Sequence, residues 1–215
     1  MKTKKAFVLL EILIALTLVG VIYLSVKPNT QHFKSTQFAQ KLNFYIKQVR
    51  LKALLDDKFQ LEDNLWHKKM WTIKFLRCRN SVGGYYFSIY SDVNMTGKIN
   101  KEDSYIDKLS NTYMYSSNYC NESTTNNSDV LITKNYNINS INMTCNDTQS
   151  KGQVSFDANS RVYSKLSNNN DDYKEYLING TCSIELVDKY GLSSEIVIDG
   201  TTGYSYVKKN KNEEL

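Results

Sequence analysis

The chain has 215 residues, a formal net charge of +5, two histidines and four cysteines. Three of the positive charges, Lys2, Lys4 and Lys5, lie in the first five residues. The remainder is only weakly basic, so global charge gives no reason to predict nucleic-acid binding. With two histidines and neither a G-x-S-x-G nor an H-E-x-x-H motif, the composition also argues against an enzyme.

The first informative element is the segment from Phe7 to Val26, which holds twenty residues whose only charge is Glu11. A helix of about 20 apolar residues covers the roughly 30 Å of a bilayer's hydrocarbon core. We therefore predict a transmembrane helix over 7–28, with the leader lysines on the inner side. A cleaved signal peptide is disfavoured because the apolar core is too long. An ordinary single-pass anchor fits the length but leaves Glu11 unexplained.

Glu11 needs a partner, because an ionisable group inside an apolar helix is costly unless it is paired. Cleavage between Ala6 and Phe7 would create an α-amino group four residues before Glu11, about one helical turn away. In an assembly of staggered helices, the amine of one subunit could neutralise the carboxylate of the next. This pairing would remove the cost of the charge and set the register between subunits.

The run Ala6-Phe7-Val8-Leu9-Leu10-Glu11 resembles the processing site of the type IV pilin and pseudopilin superfamily. The resemblance implies a leader over 1–6 that prepilin peptidase removes after Ala6, N-methylation of Phe7, and an assembly carboxylate at Glu11. Most members have Gly where this chain has Ala6. Pro28, the only proline, matches the kinking proline of family helices.

After Pro28, an apolar stripe at spacings of three and four predicts an amphipathic helix over 29–58, continuing the membrane helix. From Trp71 onward, short runs rich in β-branched and aromatic residues predict strands. The predicted fold class is α+β and pilin-like: one long N-terminal helix, half transmembrane and half amphipathic, packed on a β-rich globular head over 59–215. The predicted localisation is a single pass in the inner membrane with the head in the periplasm, from which a pilus or pseudopilus would extract the subunit.

Two later segments refine the resemblance. The segments Val154 to Arg161 and Glu195 to Val207 are similar to motifs of GspH/FimT-type minor pseudopilins. Ser160 stands where that family usually has Gly, and Tyr204 follows Gly203 where Arg is common. The resemblance implies a non-enzymatic subunit of a type II secretion pseudopilus or a type IV pilus, whose partners are other pilins or pseudopilins.

Four cysteines without a C-x-x-C pair or neighbouring histidines favour two disulfides over a metal site. Three connectivities are open from sequence. We favour Cys120 with Cys145, within a loop-rich stretch, and Cys78 with Cys182, between two strand-like runs.

The sequence predicts no cofactor, but it contains one candidate calcium loop. Oxygen side chains at Asp92, Asn94 and Thr96, the carbonyl of Lys98 and the carboxylate of Asp103 follow the spacing of a twelve-residue calcium loop. Asp103 is shorter than the usual Glu, and the flanks lack the two helices. We favour a polar turn without metal, and weak calcium binding is the alternative.

The C-terminal lysines, Lys208, Lys209 and Lys211, follow a strand with two tyrosines and form a candidate DNA-binding tail. This feature supports the alternative function of a DNA-uptake pseudopilin that binds DNA through its head or tail. A solvated terminus is the simpler interpretation of the same residues. A further alternative is a membrane-anchored periplasmic binding module, which would need no peptidase.

Overall fold

A computed structural model describes residues 3–25, 30–170 and 172–208, without the side chains of 3–7, 9, 24–25 and 30–33. The chain divides into two compact units, Met1–Phe33 and Lys34–Leu215. The helices are α1 (Thr3–Ser25), α2 (Thr30–Leu55) and α3 (Ile132–Tyr136), with 3₁₀ helices at Trp66–Lys69 and Ser128–Val130.

The predicted fold class, with one long helix that is half transmembrane, is wrong. The described helical residues of the N-terminal region are those of α1 and α2, and the second unit consists mostly of β-sheet. A bilayer crossing takes about 20 consecutive apolar residues. In the part of the chain that the structure describes, no helix has the length and apolar character that this requires. The transmembrane assignment of 7–28 and the single-pass inner-membrane localisation are therefore wrong, and Pro28 lies outside the described residues.

The strands form two four-stranded sheets and one small hairpin, and all strand pairs are antiparallel. The first sheet has the order β2-β1-β6-β7 and the second has the order β10-β9-β8-β5, while β3 pairs with β4. The strands are β1 (Trp71–Arg77), β2 (Tyr85–Tyr90), β3 (Ile106–Asp107), β4 (Thr112–Tyr113), β5 (Ile138–Met143), β6 (Gly152–Phe156), β7 (Val162–Tyr163), β8 (Thr181–Asp188), β9 (Ser193–Asp199) and β10 (Ser205–Lys208).

Alternating buried and partly exposed side chains show which face of the second sheet packs on the core. Along β8, Cys182, Ile184 and Leu186 are fully buried while the residues between them are partly exposed. The same period of two places Ile196 and Ile198 of β9 in the core. Successive side chains of a strand point to opposite faces, so this pattern puts one face of the sheet on the core.

Helix α2 covers this core with its apolar stripe. The six stripe residues are all buried: Phe38, Leu42, Tyr45, Ile46, Val49 and Ala53. The Phe38 ring lies 4.6 Å from Tyr136 of α3 and 6.2 Å from Phe87 of β2, measured between ring centroids. Burying a side chain such as Phe or Leu contributes about 1.5–3 kcal/mol. The stripe joins α2, α3 and both larger sheets in one core cluster.

Asp129 fixes α2 to the 3₁₀ helix Ser128–Val130. Its carboxylate accepts hydrogen bonds from Lys41 at 2.9 Å, from the Tyr45 hydroxyl at 2.8 Å and from the Tyr136 hydroxyl. Burial acts to raise the pKa of Asp129, but these hydrogen bonds outweigh burial and hold the pKa below its usual value. The carboxylate is therefore ionised at neutral pH, and it connects α2 to α3.

Two disulfides are present, as the cysteine pattern predicts, but the favoured pairing is wrong. Cys78 pairs with Cys120, and Cys145 pairs with Cys182. The Cys78–Cys120 bridge ties the end of β1 to the loop after β4, and the Cys145–Cys182 bridge joins the segment after β5 to the start of β8. Sequence position alone could not distinguish these pairings, because strand order decides which cysteines meet.

His67 is buried, although its neighbours Lys68 and Lys69 predict an exposed position. It is 1% exposed, and its Nε2 lies 3.0 Å from the Ser167 carbonyl. Nδ1 has no hydrogen-bond partner among the described residues. The carbonyl oxygen can only accept, so Nε2 donates to it, and in the neutral ring that burial favours Nδ1 carries no proton. Burial lowers the pKa of His67 below 6.5, and Lys68 adds to this, while the Ser167 carbonyl and Asp63 act in the opposite direction.

We predict disulfide-linked peptides Cys78–Cys120 and Cys145–Cys182 in a non-reducing peptide map. The paired substitution Cys145→Ala and Cys182→Ala should lower the free energy of unfolding by about 4 kcal/mol, because it opens a loop whose ends are 37 residues apart. Removing Cys78 and Cys120, 42 residues apart, is the matched comparison and should cost a similar amount. A peptide linking Cys120 to Cys145 would contradict this pairing.

We predict that His67 makes stability depend on pH below neutrality. Unfolded His67 binds a proton near pH 6.5 and folded His67 only at lower pH, so its contribution is complete above pH 6.5. The free energy of unfolding should fall by up to about 1.4 kcal/mol per pH unit as the pH drops from 6.5 toward the folded pKa. Urea titrations of the wild type and His67→Gln measure this, because Gln keeps a donor but does not titrate. His32 is present in both proteins, and equal pH slopes would refute the prediction.

Candidate functional site

The candidate site is the surface of α1. Its described side chains between Val8 and Tyr23 are all exposed, and most are large and apolar. The large apolar ones, each at least 50% exposed, are Val8, Leu10, Ile12, Leu13, Ile14, Leu16, Leu18, Val19, Val21, Ile22 and Tyr23. With 3.6 residues per turn, these positions cover every side of the helix. A helix that is apolar all round is normally buried and not exposed.

Glu11 is the one acidic residue of α1, and it is exposed together with its apolar neighbours. It lies four residues after Phe7, so the backbone of Phe7 is one turn earlier in the same helix. The backbone of Ala6 and Phe7 is helical, while their side chains lie outside the described residues. The described side chains of α1 thus present one carboxylate, Glu11, among mostly apolar neighbours.

The predicted calcium loop, residues 92–103, is folded as a hydrogen-bonded turn. The Asp92 carboxylate accepts the backbone N–H groups of Thr96 at 3.0 Å and Gly97 at 2.8 Å. Asn94 donates to the Asp103 carboxylate at 3.2 Å. Gly97, with a φ of +70°, provides the left-handed conformation that the turn needs. The structure thus brings Asp92, Asn94 and Asp103 into one loop.

The side-chain oxygens of Asp92 and Asp103 in this loop accept the hydrogen bonds described above. Thr96 Oγ1 also lies within hydrogen-bond distance of the Lys98 carbonyl. Within the residues described, no group of three or more His, Cys, Asp or Glu side chains is placed to hold a metal ion. The hydrogen bonds of Asp92 are those of a polar turn built from Asp, Asn and Gly.

The candidate DNA-binding tail is only partly described. Lys208 pairs with Glu195 on the neighbouring strand β9, at 2.8 Å between Nζ and Oε2. The Lys208 ammonium group therefore has a carboxylate partner, although the lysine side chain remains exposed. Lys209 and Lys211 lie outside the described residues.

The two motifs that resemble GspH/FimT-type pseudopilins lie against each other. Ser160, where the family usually has Gly, has a φ of +65°, the left-handed region that favours glycine. A Cβ atom on Gly203 would lie 2.6 Å from the Ser160 carbonyl oxygen, so only glycine fits there. The turn after β6 and the turn after β9 therefore meet at a contact between the two sheets.

One cluster of charged residues was missed from sequence. Lys74 lies at the centre of β1 and lines a cavity of about 530 Å³ with Lys68 and Lys165. The sequence feature that marks this cluster is Lys74, which lies between the apolar residues Ile73 and Phe75 of one strand. That alternation predicts only an outward-facing residue, and the loops that cover this face could not be placed from sequence.

Comparison with known proteins does not identify a function for this chain. No protein-family model, curated protein or solved structure matches the chain.

Proposed function

We propose that this protein is a non-enzymatic subunit of a pilus-like or pseudopilus-like fibre, matured by prepilin peptidase cleavage after Ala6 and N-methylation of Phe7. Its partners are other pilins or pseudopilins. The observation that carries the proposal is α1, a helix exposed and apolar on every side, with Glu11 four residues after Phe7.

Helix α1 has the surface that an assembly of helices needs. Exposed apolar patches larger than a few hundred Å² mark interaction sites. Each CH₂ group removed from water contributes about 0.8 kcal/mol, so packing α1 against copies of itself would drive association. Burial of this surface does not by itself fix how far one helix slides along another.

Glu11 provides this register. Burying a lone carboxylate among apolar side chains is strongly unfavourable, whereas a paired and hydrogen-bonded carboxylate is tolerated. Cleavage after Ala6 gives Phe7 a terminal amine that can pair with Glu11 of a neighbouring subunit. Only the stagger that joins these two groups avoids the cost, so the charge pair selects one arrangement of subunits.

The second unit provides a stable head for such a subunit. One core cluster joins both larger sheets, two disulfides tie loop segments to strands, and the turn containing Ser160 packs on Gly203. Disulfides of this kind persist in oxidising environments. The contact between the two motif-bearing turns supports the narrower assignment to a GspH/FimT-type minor subunit.

We predict that the protein isolated from its assembled form lacks Met1–Ala6 and carries one added methyl group on Phe7, as intact-mass and N-terminal peptide analysis would measure. Glu11→Ala should be processed normally but fail to enter the fibre, because the amine of Phe7 then has no carboxylate partner. Incorporation of this variant into the fibre should fall at least about tenfold, which corresponds to a loss of roughly 1.4 kcal/mol of association free energy.

Glu62→Ala is the matched control, since Glu62 is an exposed carboxylate of the second unit. This variant should assemble like the wild type. Normal incorporation of Glu11→Ala, or an unprocessed N-terminus in assembled protein, would refute the proposed role.

The calcium prediction for loop 92–103 is tested by melting temperature. A loop that binds calcium in the weak extracellular range of about 0.1–1 mM gains at least roughly 1.4 kcal/mol at about 10 mM calcium. Asp103→Asn should remove the resulting rise, while Glu102→Gln, a neighbouring exposed carboxylate outside the predicted ligand set, should keep it. An unchanged melting temperature at this concentration would leave the hydrogen-bonded turn as the only role of the loop.

A further inference from the structure

The outer face of the first sheet is polar and yet covered. On β1, Thr72 and Lys74 point away from the core residues Ile73 and Phe75. Antiparallel pairing puts Ser88 on one side of Lys74 and Gln153 on the other. Thr72, Ser88 and Gln153 are all at most 5% exposed. An ordinary solvent-facing sheet would expose such residues, so loops must shield this face from water.

These loops border an open cavity of about 530 Å³ that Lys74 lines, which we call the lysine cavity. The residues of the cavity that matter here are Lys68, Lys74, Tyr90, Thr148, Gln153 and Lys165. They come from the 3₁₀ helix before β1, from three strands or strand ends, and from the loops around β6 and β7. A volume of this size is typical of sites for small molecules.

The lysine cavity is lined by three lysines and two carboxylates, so its side chains carry a net positive charge. Among the described residues, none of the three lysines forms a salt bridge. Lys165 Nζ lies 3.3 Å from the Tyr176 hydroxyl, which is neutral. The carboxylates are held by other groups, since Asp92 accepts two backbone N–H groups and Asp147 accepts the Ser164 hydroxyl, while Glu175 interacts electrostatically with Lys165.

Lys74 is the most unusual of the three lysines. It is half-buried at the centre of a sheet, and burial lowers the pKa of its ammonium group. The buried hydroxyl of Ser88, its cross-strand neighbour, also has no hydrogen-bond partner among the described residues. A desolvated ammonium without a counter-ion is unfavourable, and a bound anion would relieve this cost.

We propose that the lysine cavity binds a small molecule carrying a compact oxyanion, with Lys74 as the principal cation. Lys68 and Lys165 add positive charge, and the Gln153 amide and the Thr148 and Tyr90 hydroxyls can donate hydrogen bonds to further oxygens. Burial and nearby Asp92 raise the pKa of Tyr90, so its phenol stays protonated and remains a donor.

Phosphate and carboxylate groups share this recognition chemistry, because both present several acceptor oxygens with negative charge. Lysine binds either group as a point charge without requiring the planar geometry that arginine favours. The site is independent of the proposed assembly function, since every residue that forms it belongs to the second unit.

Isothermal titration calorimetry of the full-length chain with inorganic pyrophosphate and with citrate tests the proposal. At least one probe should bind, and Lys74→Met should weaken its binding about tenfold or more. The melting temperature of ligand-free Lys74→Met should equal or exceed that of the wild type, because the substitution removes a desolvated charge. This second measurement separates lost binding from lost structure.

Lys108→Met is the matched control, since Lys108 is an exposed lysine outside the cavity. Its affinity for the probe should equal that of the wild type. The relative affinities for pyrophosphate and citrate then identify the phosphate or carboxylate source. Absence of binding to both probes, equal weakening by Lys74→Met and Lys108→Met, or unfolding of Lys74→Met would overturn the proposal.

Discussion

The burial of one face of α2 is the constraint on which the second unit depends. Phe38, Leu42 and Ile46 are each 0% exposed, and their neighbours in the core come from both larger sheets and α3. Asp129 adds a directional constraint, because it holds Lys41 and Tyr45 of α2 beside Tyr136. Apolar burial supplies the stabilising free energy, and the hydrogen bonds at Asp129 fix the rotation of the helix. The disulfides then hold loop segments that contribute few apolar side chains.

The two helices before the sheets use apolar residues in opposite ways. Helix α2 buries one apolar stripe and also exposes four large apolar side chains, Phe44, Leu51, Leu54 and Leu55, whereas α1 leaves its described apolar side chains exposed on all sides. The buried stripe of α2 belongs to the core of the second unit, and none of the described side chains of α1 is buried. This difference makes α1 the natural place for an assembly function, and it explains why a single charged residue there, Glu11, carries so much of the proposal.

Charged residues in the second unit also divide into two groups. Carboxylates such as Asp92, Asp157 and Asp188 accept backbone N–H groups and stabilise turns. Because these carboxylates already accept hydrogen bonds that stabilise turns, they are weaker candidates for ligand binding. Lys74 is in the opposite situation, since its ammonium is partly desolvated and pairs with no described carboxylate. An unpaired buried cation therefore points more directly to a ligand than a cluster of hydrogen-bonded acids does.

Sequence by itself determined the features that depend on local spacing. The α2 stripe follows from the helical repeat, the strands from alternation, and the presence of two disulfides from the number and setting of the cysteines. Only the tertiary structure decided which cysteines pair, because Cys182 meets Cys145 only after β8 aligns with β5. It also buried His67 and placed loops around Lys74. These outcomes depend on contacts between distant segments, which no local pattern of residues encodes.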